Sequence, residues 1–397
     1  MFFKKRGALA PRFICKWLYY ICSMNQKGKW ISLVLLLVIS CLVYFLLPYY
    51  SGIIAGYDQY IFYPFQTFRG LLLGHLPFSI GDVLYIAGGV WALVTVIKWV
   101  RYIIRFRAAK VLLANSVIRT IKTILFFYLL FITGWGANYY KPSLLQEWGL
   151  IHQIPPPQTE IEKAERKKKS LENLIAFNRI LVDKLNEYAP GYHSLSLIET
   201  DHKAEAIYRT YTDSKVKHYG LKIKPGLFGY FMRRLGVEGY YNPFTGEGQI
   251  DAELPAFTMP FLICHEMAHQ AGIASEEDAN LMAYALGTTT PDSTFRYSAY
   301  LNIWLYANNR LYRRDSAKAK EFDSMLNKLT KAHIDTLDQI SKKYQNDYAR
   351  YSTQLYDNYL KMQDQKDGIR SYGNVVVSAW LLEQKRNKSE IGLIVVP

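Results

Sequence analysis

Apolar residues run almost unbroken through Trp30–Pro48, Ile80–Val100 and Ile121–Ala137, with aromatic and basic residues at the ends of each run. Each is close to the ~20 residues that a helix needs to cross a bilayer, so three transmembrane helices are predicted. Beyond Lys141 the pattern changes to apolar positions three and four residues apart, the signature of amphipathic helices. Glu160–Tyr188, Leu195–Thr212, Phe261–Leu286, Ser293–Arg313, Ala317–Asp347 and Ser371–Lys385 all carry it. Only Val237–Asp251 alternates turn formers with β-prone residues, and a short hairpin is expected there. The predicted fold is mainly α: a membrane domain over 1–141, a linker over 142–159 stiffened by Pro155-Pro156-Pro157, and a helix-rich domain with a small β-hairpin over 160–397.

Charge changes this picture in one respect. The chain carries a formal +15, but 16 Lys and Arg against 2 Asp and Glu fall at or before Lys141, which leaves only +1 for the rest. A basic soluble face, which nucleic-acid binding needs, is therefore missing, and membrane lipid is the partner that the basic part implies. Lys and Arg concentrate on cytoplasmic flanks. Lys4, Lys5, Arg6, Arg12, Lys16, Lys27 and Lys29 precede the first run, and Arg101, Arg105, Arg107, Lys110, Arg119 and Lys122 surround the connection between the second and third. Tyr49–Ser79 has Arg69 as its one Lys or Arg and is placed outside, as is everything from about Lys141 onward. Trp135, Tyr139 and Tyr140 are expected at the outer headgroup level, where amphipathic rings are favoured. Of the four cysteines, Cys15, Cys22, Cys41 and Cys264, only Cys264 belongs to the later domain, which excludes an internal disulfide there.

The chemistry concentrates in His265-Glu266-Met267-Ala268-His269. On a helix, histidines four apart share one face and can reach one zinc ion, while the glutamate between them is set beside it as general base. Phe261, Leu262, Ile263, Met267 and Ala268 surround these polar groups with apolar ones, a costly setting unless a metal compensates it. Catalytic zinc usually takes three protein ligands. Gly272 can end the first helix, Ser275 can cap the next, and Glu276 and Glu277 stand in its first turn. Glu276 is the preferred third ligand because it shares a helix face with Asn280 and Ala283; Glu277 is the alternative. Tyr372, in a Gly-Ile-Arg-Ser-Tyr-Gly stretch, is the candidate to stabilise an oxyanion.

From Tyr241-Asn242-Pro243-Phe244-Thr245-Gly246-Glu247 through His265–Gly272 to Ser275-Glu276-Glu277-Asp278-Ala279-Asn280, the chain resembles a bacterial three-span membrane-protein family catalogued as domain of unknown function 3810. The resemblance extends over the membrane segments and Asp367–Tyr372. It implies a zincin-like metallopeptidase of the bacterial inner membrane with a periplasmic domain, and no established substrate. In peptidases whose third ligand is a glutamate on a second helix, that helix often reads E-x-x-A-D; Glu276–Asn280 is similar, with Asn280 in place of the aspartate. Metzincins place a third histidine where this chain has Ser275.

The expected activity is hydrolysis of peptide bonds, in protein or in cell-wall peptide, with zinc as cofactor and Glu266 passing the proton. The hairpin edge offers a strand for an extended substrate. The competing expectation is an envelope binding or assembly protein with a purely structural metal, in which Glu266 would have no task. Nothing in these patterns sets the oligomeric state.

Overall fold

The computed structural model describes residues 10–47, 54, 56–150, 159–210, 221–344 and 371–388, the side chains of 10–27 and 371–373 apart. The helices are α1 (Ala10–Leu46), α2 (Tyr63–Leu73), α3 (Ile80–Ile104), α4 (Phe106–Gly134), α5 (Leu144–Glu147), α6 (Glu160–Tyr188), α7 (Leu197–Thr210), α8 (Gly229–Leu235), α9 (Met259–Gln270), α10 (Glu276–Thr289), α11 (Ser293–Tyr312), α12 (Ser316–Met325), α13 (Lys328–Tyr344) and α14 (Ser371–Lys388). The strands are β1 (Ile223–Pro225), β2 (Gly239–Asn242) and β3 (Glu247–Ile250). Gly28–Leu46, α3 and α4 are long and apolar enough to cross a membrane, and little of each is buried.

The chain divides into two compact units. One comprises residues 1–53 and 86–133, and the other 54–85 and 134–397. The second unit therefore takes in the segment between the first two spans, which the apolar pattern alone assigned to the membrane part. In α2 the reason is visible: Gln66 and Arg69 are buried, and their side chains donate to the carbonyls of Gly246 (3.0 Å) and Pro243 (2.6 Å). Phe62, at the end of a π-helical turn over Asp58–Phe62, is fully buried.

The third candidate span ends at Gly134, short of the expected Ala137. The chain there turns into a 3-10 helix over Gly136–Tyr140, and Trp135 and Ala137 are buried in the second unit. Trp135, expected among lipid headgroups, packs its ring 4.4 Å from that of Tyr241. The first part of the expected linker is also structured. Ser143 caps α5 with a capping box, and Leu144, Leu145 and Trp148 insert into the core, because apolar residues at this spacing gain more buried than hydrated. Pro155–Pro157 lies outside the described residues.

The core of the second unit lies among α6, α9, α10, α11 and α14, with Phe177, Leu181, Tyr284, Phe295 and Tyr297 almost fully buried. Local signals set the element ends: Thr159 accepts from the Glu162 amide to start α6, and Asp292 accepts from Thr294 and Phe295 to start α11. The helix expected over Ala317–Asp347 is split, since Leu326 turns extended and Asn327 caps α13 by accepting from the Thr330 amide. The expected hairpin exists as β2 and β3, paired Gly239 to Ile250 and Asn242 to Glu247. Asn242 Oδ1 accepts from the amides of Phe244 and Thr245 to close its turn. The sheet has a third strand that periodicity did not reveal: β1 pairs parallel to β3, giving the order β1-β3-β2 with β2 at one edge.

Candidate metal centre

Helix α9 runs through the centre of the unit with every residue except Leu262 buried. Gln270 clamps it to the sheet, donating to the carbonyls of Lys222 (3.0 Å) and Gly246 (3.1 Å) and accepting from the Lys222 amide (3.0 Å). Helical spacing puts His265 and His269 on one face, with ring centroids 4.8 Å apart and planes at 89°. The helix ends at Gln270, and the turn after it uses Gly272, whose φ of +91° suits glycine; a Cβ there would also meet the Phe62 ring at 2.6 Å. After this turn Ser275 accepts from the Asp278 amide and starts α10, which delivers Glu276 to the histidine pair.

The Glu276 carboxylate stands 3.2 Å from His265 Nε2 and 3.6 Å from His269 Nε2. The three donor atoms all lie within 4.8 Å of one another, and all three residues are buried. Glu277 goes elsewhere: Ser378 of α14 donates a hydrogen bond to its carboxylate. The structure thus brings Glu276, not Glu277, to the histidines. Tyr372 belongs to α14, but its side chain lies outside the described residues.

The donor chemistry fits a zinc ion. His269 Nδ1 lies 2.7 Å from the Ile273 carbonyl, which can only accept, so Nδ1 carries a proton and Nε2, which faces Glu276, is the nitrogen left to serve a metal. Two imidazole nitrogens and one carboxylate oxygen form a usual protein set for a catalytic zinc, with the fourth position left open. Glu266, 3% exposed, is not among the three; its Oε2 has no hydrogen-bond partner among the described residues. A buried carboxylate in that condition is expensive without a cation or a proton nearby.

The titration behaviour expresses the same strain. Burial, reinforced by the charge of Glu276 and opposed by that of His269, pushes the Glu266 carboxyl up to about 8. For His269 burial opposes the charged form, but attraction and hydrogen bonding to Glu276 prevail and raise it to about 9. Burial would raise Glu276 too, yet His269 and His265 hold it well below the ordinary range. His265 is lowered, chiefly by burial. Without a metal, the site therefore stores one proton on His269 and another on Glu266 near neutral pH.

Around this centre stand groups from distant parts of the chain. Trp135 meets the edge of His269 at 6.1 Å, and Tyr241 lies 6.3 Å from the same ring. Lys141 Nζ donates to the Gly272 carbonyl (3.2 Å) and pairs with Asp58; burial lowers its pKa. Strand β2 passes directly over Glu266, since a Cβ on Gly239 would stand 2.6 Å from its Oε1. Tyr306 of α11 is a residue that the sequence did not single out. Burial first, then the charges of Glu238 and Glu276, raise its pKa, so its hydroxyl stays protonated beside the site. Among 32 tyrosines nothing in its sequence neighbourhood marks it.

Fold and site together define a mainly helical protein with three candidate membrane helices, a small three-stranded sheet and a buried His-His-Glu cluster. Residues 57–380 match the family described as "Protein of unknown function (DUF3810)", and the chain belongs to that family. No curated protein and no solved structure matches the chain.

Proposed function

We propose that this protein is a membrane-anchored, zinc-dependent metallopeptidase, with its second unit on the outer, periplasmic side of a bacterial inner membrane. The observation that carries the proposal is the convergence of His265, His269 and Glu276 within 4.8 Å while Glu266 is held beside them and outside the set. A structural metal site has no use for that extra carboxylate; a hydrolytic one requires a base. The orientation is supported by the Lys and Arg flanks and by the membership of residues 54–85 and 134–397 in one unit, which calls for both segments on one side.

Zinc bound here would supply Lewis acidity, polarising the scissile carbonyl and acidifying water. His265, His269 and Glu276 would hold the ion, and the Ile273 carbonyl fixes the tautomer of His269. Glu266, ionised once a zinc charge stands beside it, would take a proton from the attacking water and pass it to the leaving amine. Tyr306, close enough to feel the charge of Glu276, is the candidate among the described residues to donate a hydrogen bond to the developing oxyanion. The β2 edge beside Glu266 aligns an extended peptide by main-chain hydrogen bonds.

The test uses the full chain in lipid nanodiscs. Elemental analysis should find zinc equimolar with the protein, lost in the His265→Ala/His269→Ala variant. Glu266→Gln should keep its zinc and lose cleavage of a quenched-fluorescence peptide library by about 10²–10⁴-fold, the usual share of a general base. Zinc that survives the double histidine change, or cleavage undiminished in Glu266→Gln, would sink the assignment. Bound zinc with no cleavage by any form would favour the structural-metal reading.

A further inference from the structure

Helix α2 is built inside out. Its polar residues Gln66 and Arg69 are buried, while Phe68, Leu71 and Leu72, which share the opposite face, are 60%, 68% and 62% exposed. The charged residues of segment 54–79 leave that face uncharged: Asp58 pairs with Lys141, and Arg69 is turned inward. A helix in water has the reverse polarity. The loop and short helix that follow β1 show the same feature on a second element, with Leu227, Tyr230 and Phe231 exposed at 55%, 52% and 63%. Met232 there turns to the core, and Arg234 lies over the Tyr230 ring at 5.1 Å.

The two apolar faces are tied to the same end of a membrane helix. Lys224 of β1 donates to the carbonyls of Leu73 (2.8 Å) and Phe78 (3.1 Å) and pairs with Glu247 (2.7 Å). Glu247 in turn accepts from the amides of Gly81 (2.7 Å) and Ile80 (3.3 Å), capping the first turn of α3. Asp82 in that turn accepts from the Leu227 amide (2.8 Å) and from the Tyr240 hydroxyl. On its other side α2 reaches the end of α4, where a Cβ on Gly134 would stand 2.8 Å from the Phe65 ring. Both apolar faces therefore begin where spanning helices end.

We propose that the outward faces of α2 and α8 form one lipid-contacting platform, seated in the headgroup and upper acyl region of the bilayer that α3 and α4 cross. The partner is a phospholipid surface. Aromatic and aliphatic side chains with an arginine at their margin are the composition favoured at that depth, and continuity with the spans puts the faces at that level. The platform holds the metal-bearing unit against the membrane through α2, whose Gln66 anchors the same Gly246 carbonyl that Gln270 of the motif helix uses. It rests on the reading that α3 and α4 cross a bilayer, and not on the identity of the metal or the reaction.

The experiment places a photo-crosslinking amino acid at Leu71, Phe231, Leu93 or Lys320 of the full chain, one site at a time, in nanodiscs of phosphatidylethanolamine and phosphatidylglycerol, and reads lipid adducts by intact mass. Leu93 reports a span and Lys320 a charged, exposed helix face. Leu71 and Phe231 are expected to give at least about tenfold more lipid adduct than Lys320, as for an interfacial helix. Adduct at Leu93 with only background at Leu71 and Phe231 refutes the platform and leaves the spans standing. Crosslinks from Leu71 or Phe231 to a second protein chain refute it in favour of a dimer face. Absence of adduct at Leu93 overturns the membrane reading and the platform together.

Discussion

Replacement of Lys224 by methionine tests the buried network that joins the sheet to the start of α3. The Lys224 and Glu247 side chains are only 3% and 5% exposed, and their charged atoms are 2.7 Å apart. Methionine fills much of the same volume but leaves the carbonyls of Leu73 and Phe78 without their ammonium donor, at about 1–3 kcal/mol each where no water replaces it. Glu247 loses its countercharge but keeps the Gly81 and Ile80 amides, which soften the loss. Together these effects place Lys224→Met at about 3–5 kcal/mol, the range for breaking a buried ion pair from one side. Glu247→Gln strands the ammonium instead and should fall toward the lower end of that range. Because both changes break one shared contact, the Lys224→Met/Glu247→Gln double variant should be less destabilised than the sum, by about 1–3 kcal/mol. Denaturant midpoints of the full chain in micelles, followed by tryptophan fluorescence, give the three values. A cost below about 1 kcal/mol for Lys224→Met, or additivity of the pair, would refute the view that this network joins the sheet to the first turn of α3.

Two further outcomes concern the metal centre. Zinc binding near pH 7 should release protons, because His269, raised to about 9, and Glu266, raised to about 8, hold them in the metal-free protein; calorimetry in buffers of different ionisation enthalpy that showed no release, or uptake, would contradict the protonation scheme. Above pH 6.5, where the opposite contributions of the lowered Glu276 and His265 are already complete, the metal-free fold should lose stability with rising pH. The His269 contribution is present below its ordinary 6.5 and disappears through about 9, and the Glu266 contribution is present below 4.5 and disappears through about 8. Gly239→Ala places a methyl 2.6 Å from Glu266 Oε1 and 3.1 Å from the Gln249 carbonyl. It should displace the carboxylate, cost about 1–3 kcal/mol and lower peptide cleavage with zinc content kept; unchanged kinetics in that variant would show that β2 does not position Glu266.

What could be read from the sequence was local. The i, i+4 spacing of His265 and His269, the helix-ending Gly272 and the cap at Ser275 all act within a few residues, and the structure folds that stretch as two helices meeting at Glu276. The choice of Glu276 over Glu277 depended on which faces the helix axis, and helical periodicity carries that information. The part played by residues 54–85 was hidden because its partners are remote: Gln66 and Arg69 bond to carbonyls 180 and 174 residues away. The segment read as an outside connection between two spans, which concealed the polar face that enters the core. Trp135 misled for a similar reason, since adjacency to a span favours a headgroup position and only the fold brings it to His269. Strand β1, three residues long, is too short to show a period, and its parallel pairing with β3 is a contact across an intervening helix and strand.

The division of the second unit between 54–85 and 134–397 has a consequence for how the protein is made. During synthesis the early piece is made first, and two candidate membrane helices follow before Pro243 and Gly246 exist to receive Arg69 and Gln66. Until then those side chains can only be solvated or guarded by a chaperone, and completion must wait for the late chain to arrive. A polypeptide started at Glu160 would be missing a piece of its own interior. On the proposed topology, biogenesis is the closing of two separately exported parts around each other, which would tie maturation of the His-His-Glu cluster to correct insertion of the helices between them.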